Sequence, residues 1–153
     1  MKKQLLELVY GASIVPDGEG FLATFRDLSN VFSDGETREE VIFNAQEALE
    51  GILLEMVAKE LEIPRPSKIH PHEEAIAVSP EIAAPVLLLM LRQETGQTKA
   101  DVAQTLQIKY QTYQRMETTG RYLTLKNLKR AARAMGATVE LRFRKIERYS
   151  SIK

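Results

Sequence analysis

The chain contains no cysteine and no tryptophan. Without cysteine it can form no disulfide, offer no thiolate nucleophile and build no Cys-ligated zinc site. Histidine is nearly absent too: the two present, His70 and His72, flank a proline. Two histidines without a third ligand nearby fall short of the donor set a metal site uses, so no metal is expected. No apolar run approaches the roughly 20 residues that cross a bilayer. Glu7 interrupts the start, where a secretory signal would need an unbroken apolar core of about 7–15 residues. No phosphate-cradling glycine loop and no nucleophile elbow occurs. Asp17, Asp27 and Asp34 all fall in turns, and Glu39, Glu40, Glu47, Glu50 and Glu55 read as the wet face of a helix, so no convergent carboxylate set for metal-assisted hydrolysis emerges. The expectation is a cytoplasmic protein that is not an enzyme, has no catalytic residues and carries no cofactor.

The 153 residues are 44% hydrophobic and 27% charged, which suits one ordinary globular domain or two small ones. The net charge of zero hides a division. Residues 1–80 carry 7 Lys and Arg against 15 Asp and Glu, a net −8, whereas residues 81–153 carry 14 against 6, a net +8. An acidic half suits a basic protein partner and a basic half suits phosphates.

Residues 4–15 read as a first strand, with Gly11 marking a bulge. Pro16-Asp17-Gly18-Glu19-Gly20 supplies turn chemistry, followed by strands at 21–25 and 31–33. Thr37 and Glu40 stand at the spacing of a capping box. They open a helix whose apolar face is Val41, Ala45, Ala48, Leu49, Ile52, Leu53 and Met56, running to about Leu61. Residues 63–67 read as a linker or extended segment and 75–78 as a fourth strand. From Ser79 the pattern turns helical: 82–95, with Pro85 tolerable only in the opening turn, then 98–106, 109–117 and 123–135. Residues 138–143 alternate at period two and read as a last strand.

The stretch from Thr98 to Glu117 resembles a helix-turn-helix of the Cro/repressor type. Val102, Leu106, Ile108, Tyr113 and Met116 supply apolar contacts between two helices, and Ala103 is small enough for a close crossing. Lys109, Tyr110, Gln111, Gln114 and Arg115 cluster at the start of the second helix, where such a motif presents side chains to the major groove. Gln can bond adenine twice and Lys can donate to guanine. Thr98 can cap the first helix, whose amino end can face a phosphate. Lys99 and Arg115 are expected nearer the DNA backbone. Gln107 stands where that family usually carries glycine, and a left-handed conformation there strains any other residue.

In the acidic half, Gly18-Glu19-Gly20-Phe21-Leu22-Ala23-Thr24-Phe25-Arg26-Asp27-Leu28, then Gly35 to Val41, then Asn44 to Leu49, is similar to the HicB antitoxin family. Arg26 replaces the proline usual before the Asp. The resemblance implies an α+β chain: an N-terminal β-β-β-α-β partial ribonuclease H-like domain over residues 1–78, then a mostly helical helix-turn-helix domain with a C-terminal strand over 79–153. It also implies a type II antitoxin whose first domain blocks a HicA-like toxin, a small basic mRNA-cleaving protein, while the second binds operator DNA and represses the shared operon. The alternative is a DNA-binding regulator whose N-terminal domain senses a small ligand. A single module of this type reads few base pairs, so a homodimer or higher oligomer is expected. Val139, Leu141 and Phe143 on one face of the last strand are the candidate dimer contact, because a lone strand leaves an edge to be paired.

Overall fold

A computed structural model describes residues 4–146. Four strands form one antiparallel sheet: β1 (Val9–Asp17), β2 (Gly20–Phe25), β3 (Phe32–Gly35) and β4 (Glu74–Ala77), in the spatial order β3-β2-β1-β4. The helix α1 (Arg38–Ala58) lies between β3 and β4 in sequence and covers one face of the sheet. Alternation decides which face. Tyr10 and Ala12 of β1 and Ala23 and Phe25 of β2 are buried. The register sets Ala12 opposite Phe25 and Ile14 opposite Ala23, so these side chains share one side. Val41, Ala45, Leu49, Leu53 and Val57 of α1 fill the space above them. The predicted Ala48, Ile52 and Met56 sit at the margin of this core, half-buried.

Several boundaries move. The first strand begins at Val9, and residues 4–8 precede it without regular structure. The Thr37 cap forms, its hydroxyl accepting the Glu40 N–H at 3.1 Å. The reciprocal half of the box does not: the Glu40 carboxylate accepts the Glu36 N–H at 3.3 Å instead. The helix ends at Ala58, because Glu60 turns into the left-handed region at φ 53°.

Gly11 marks no bulge. The ladder runs through it unbroken, with Gly11 opposite Ala75. Its missing side chain has another cause. A Cβ there would lie 2.6 Å from Oε1 of Glu73, whose carboxylate packs on the sheet at that point. Arg26 holds that carboxylate from two sides, Nε at 3.1 Å and a terminal nitrogen at 2.8 Å. It also donates to Ser67 Oγ and, at 2.8 Å, to the Lys68 carbonyl. Asp27 accepts the Ser67 N–H at 2.8 Å, and the Tyr10 hydroxyl donates to the Pro64 carbonyl at 2.7 Å. The segment between α1 and β4, which includes the expected linker or extended stretch 63–67, is therefore strapped down. The Arg that departs from the family's usual proline is the principal clamp.

Four further helices follow: α2 (Pro80–Thr95), α3 (Lys99–Leu106), α4 (Tyr110–Thr119) and α5 (Leu125–Ala134). Pro85 lies inside α2 rather than in its first turn. It forgoes one helical hydrogen bond but is buried. The helix itself is two-faced. Val86, Leu89 and Met90 join the core under the sheet, whereas Leu88 joins Val102, Ala103, Leu106, Tyr113, Met116, Ala131 and Met135 in a second core. The expected strand at 138–143 is not formed. Residues 137–146 have no regular structure, since no described strand lies alongside to accept their amides. The result is an α+β chain with an N-terminal antiparallel sheet followed by helices.

Candidate nucleic-acid interface

The pair α3 and α4 is set by its caps and turn. Thr98 closes a complete capping box: its hydroxyl accepts the Asp101 N–H at 3.1 Å, and the Asp101 carboxylate accepts the Thr98 N–H at 2.8 Å. Those bonds hold the Asp101 carboxyl below its usual range. The box uses the amides of Thr98 and Asp101 and leaves those of Lys99 and Ala100 at the amino end of α3 without a partner among the described residues. Gln107 ends α3 at φ 57°, ψ 42°, its N–H bonded to the Gln104 carbonyl at 3.1 Å, and the Ile108 N–H returns to Ala103. The glycine-like turn is made without glycine, at a strain of about 1–2 kcal/mol. The buried Val102, Ala103 and Leu106 below it offset that cost.

This turn delivers Lys109 as the N-cap of α4, with its side chain free of capping duty. Lys109, Tyr110, Gln111 and Arg115 are exposed, and Gln114 is half-buried beside them. They form one rim, while Tyr113, Met116 and Glu117 of the same helix face inward. Lys99 does not join the rim. It is only 8% exposed, and its ammonium meets the Glu60 carboxylate at 2.5 Å, in the turn after α1. The sequence pattern placed Lys99 at the right end of α3 but could not show that the acidic half reaches over to it. That contact lowers the Glu60 carboxyl from its usual range.

Two residues that matter to this surface were not singled out from the pattern. Glu117, 1% exposed, accepts from Arg92 of α2 through Nε at 3.1 and 3.0 Å and a terminal nitrogen at 2.7 Å. The remaining terminal nitrogen reaches the Gln97 carbonyl at 3.3 Å. The pair pins the back of α4 to α2. Its signal in the sequence is faint: one arginine following the apolar run of α2, and one of the six acids in the basic half. The Tyr113 hydroxyl lies buried beside Glu117 without completing a hydrogen bond of normal geometry; burial, then that carboxylate, pushes it well above the usual tyrosine range. Lys126, Lys129, Arg130 and Arg133 of α5 are exposed and extend the positive surface.

The N-terminal half presents the opposite charge. Glu39, Glu40, Glu47 and Glu55 lie on the solvent side of α1 around the exposed Phe43 and Leu54. Beyond α5, Val139, Leu141 and Phe143 are all exposed, Phe143 at 91%. Among the described residues no three His, Asp or Glu side chains come together as a metal site, and no helix is long and apolar enough to cross a membrane. A cavity of about 30 Å³ under α4, lined by Leu106, Ile108, Thr112, Met116, Asn127 and Arg130, has room for about one water.

These features define a class: an acidic α+β module joined through a shared helix to a basic helical one. Comparison with known proteins makes it specific. Residues 9–87 match the family described as HicB_like antitoxin of bacterial toxin-antitoxin system. Over 132 residues the chain is 30% identical to the protein named Antitoxin HicB 2 of Photorhabdus laumondii subsp. laumondii, covering 86% of this chain and 94% of that protein. The chain belongs to the HicB-like antitoxin family.

Proposed function

We propose that this antitoxin neutralises a HicA-like mRNA-cleaving toxin through residues 1–78 and represses its own operon through a helix-turn-helix formed by α3 and α4. The observation that carries the DNA half is the rim at the start of α4. Lys109, Tyr110, Gln111, Gln114 and Arg115 stand together on a helix whose opposite side is locked by Tyr113, Met116 and the Arg92–Glu117 pair. Donors reaching solvent from a rigid, basic support suit base reading in a major groove by Lys109, Tyr110, Gln111 and the half-buried Gln114, with Arg115 nearer the backbone. Lys99 is assigned a different part from the one its position suggested, because a phosphate would have to displace Glu60 from it.

The toxin half is supported by the family and by the acidic outer side of α1, which complements a small basic protein. The β-β-β-α-β order agrees with a ribonuclease H-like first module. Two copies act together, joined through Val139, Leu141 and Phe143, because one such motif reads too few base pairs to specify an operator.

The experiment is operator binding by fluorescence anisotropy. Gln111→Ala removes a paired base contact and costs about 1–3 kcal/mol, a weakening of at least about fivefold, while circular dichroism and thermal unfolding stay unchanged. Affinity also falls steeply with salt as phosphates release counterions. Wild-type affinity in this variant overturns the assignment of α4 as the reading helix.

A further inference from the structure

Residues 138–146 make no backbone hydrogen bond with any described residue, yet they carry a strand's pattern. Val139, Leu141 and Phe143 alternate with Glu140, Arg142 and Arg144, and all six are exposed. We propose that two copies of the chain pair through this segment as antiparallel strands with Leu141 facing Leu141 on the two-fold axis. The inference rests on the dimer reading above and adds its register.

A symmetric antiparallel pair keeps its apolar side chains on one face only if the axis passes through a residue of the strand, since opposed residues point the same way. With the axis at Leu141, Val139 meets Phe143 twice and Leu141 meets itself. On the other face, Glu140 meets Arg142 twice. Opposite charges directly across a strand pair stabilise it and like charges destabilise it. Moving the axis to Arg142 sets two guanidinium groups against each other. Moving it to Glu140 sets two carboxylates against each other. An axis at Phe143 opposes Arg142 and Arg144 twice. An axis at Val139 leaves Glu140 opposite Thr138. Of these arrangements, only the axis at Leu141 joins three apolar pairs to two opposite-charge pairs. Within one chain Arg142 approaches Glu7 at 3.5 Å, with both side chains at least half exposed, a contact weak enough to exchange.

The absence of cysteine makes the register directly readable, because an introduced cysteine is the sole thiol. Opposed Cα atoms in an antiparallel pair lie about 4.5 or 5.5 Å apart, within reach of a disulfide. In the full-length protein, Leu141→Cys gives a covalent dimer on mild oxidation, whereas Glu140→Cys and Arg142→Cys do not. Glu140→Arg weakens the dimer about tenfold or more by sedimentation, and adding Arg142→Glu restores it. A crosslink at position 140 or 142 instead of 141 overturns the register and leaves the dimer reading intact. A wild-type dimer that none of the three cysteines captures, and that Glu140→Arg leaves unchanged, places the contact elsewhere and refutes the proposal. A wild-type chain that is monomeric at micromolar concentration removes the dimer reading itself.

Discussion

Replacing Glu117 by alanine tests whether the Arg92–Glu117 pair holds α4 in place. Glu117 is 1% exposed and receives three guanidinium contacts between 2.7 and 3.1 Å. Its removal leaves Arg92, with a side chain 14% exposed, only the Gln97 carbonyl at 3.3 Å. Breaking a buried pair by deleting one member costs about 3–5 kcal/mol, because the remaining charge stays desolvated. Arg92 retains a little access to water, which places the cost at the lower end, about 3 kcal/mol. That is a large share of the about 5–15 kcal/mol available to an ordinary domain. Glu117→Gln keeps one acceptor and costs less. Arg92→Met combined with Glu117→Leu removes both charges and fills the site, so it stays within about 1–2 kcal/mol of wild type. The assay is urea unfolding of the full chain followed by circular dichroism, with the slope against denaturant compared among variants to confirm that the same surface is exposed. A loss below about 1 kcal/mol for Glu117→Ala, or a double variant as unstable as the single, refutes the reasoning.

Two further predictions concern the clamp around Glu73. Arg26 first, then the His70 N–H at 2.8 Å, holds the Glu73 carboxyl down to about 2, from an ordinary 4.5. A depressed carboxyl stabilises the fold above its unfolded value, so this contribution is present above pH 4.5 and is lost as the pH falls toward 2. Carboxyl titration by NMR checks the value, and Glu73→Gln removes this part of the acid sensitivity; a Glu73 that titrates near 4.5 rules the clamp out. Gly11→Ala drives a methyl group against the pinned carboxylate and costs about 1–3 kcal/mol. The same change in a Glu73→Ala background costs little, and equal costs in both backgrounds would show that the two positions are not coupled.

The sheet, its long helix and the four later helices were legible because local patterns carry them. Thr37, Thr98 and the runs of apolar residues at strand or helix spacing mark each element within a few positions. What remained hidden involves residues distant in sequence. Gly11 reads as a bulge until Glu73, from a segment without strand or helix pattern, is seen to rest on it. Lys99 reads as a phosphate contact until Glu60 is found against its ammonium. The segment at 138–143 has the pattern of a strand, but a strand needs a neighbour, and no described strand lies beside it. Of the proposed contact set, the rim from Lys109 to Arg115 was readable, since helical periodicity alone separates it from Tyr113 and Met116. The Arg92–Glu117 pair behind it was not, because Arg92 lies outside the helix-turn-helix stretch and nothing local marks Glu117 as its partner.

The two faces of α2 bear on how such a protein can be inherited. Val86, Leu89 and Met90 complete the core under the sheet, while Leu88 completes the core under α4. The family match itself runs to residue 87, inside this helix. A gene fusion that exchanged one DNA-reading module for another at residue 79 would remove the residues that close the sheet module. A joint at residue 95 would keep those residues but strand Leu88 and Arg92 without partners. Neither half can therefore be traded as a free unit. A new reading module must arrive with an inner face already fitted to α2, or α2 must change along one side while its other side stays fixed. Drift in operator preference through the exposed rim of α4 meets no such constraint, so this architecture favours altering what the second module reads over replacing the module.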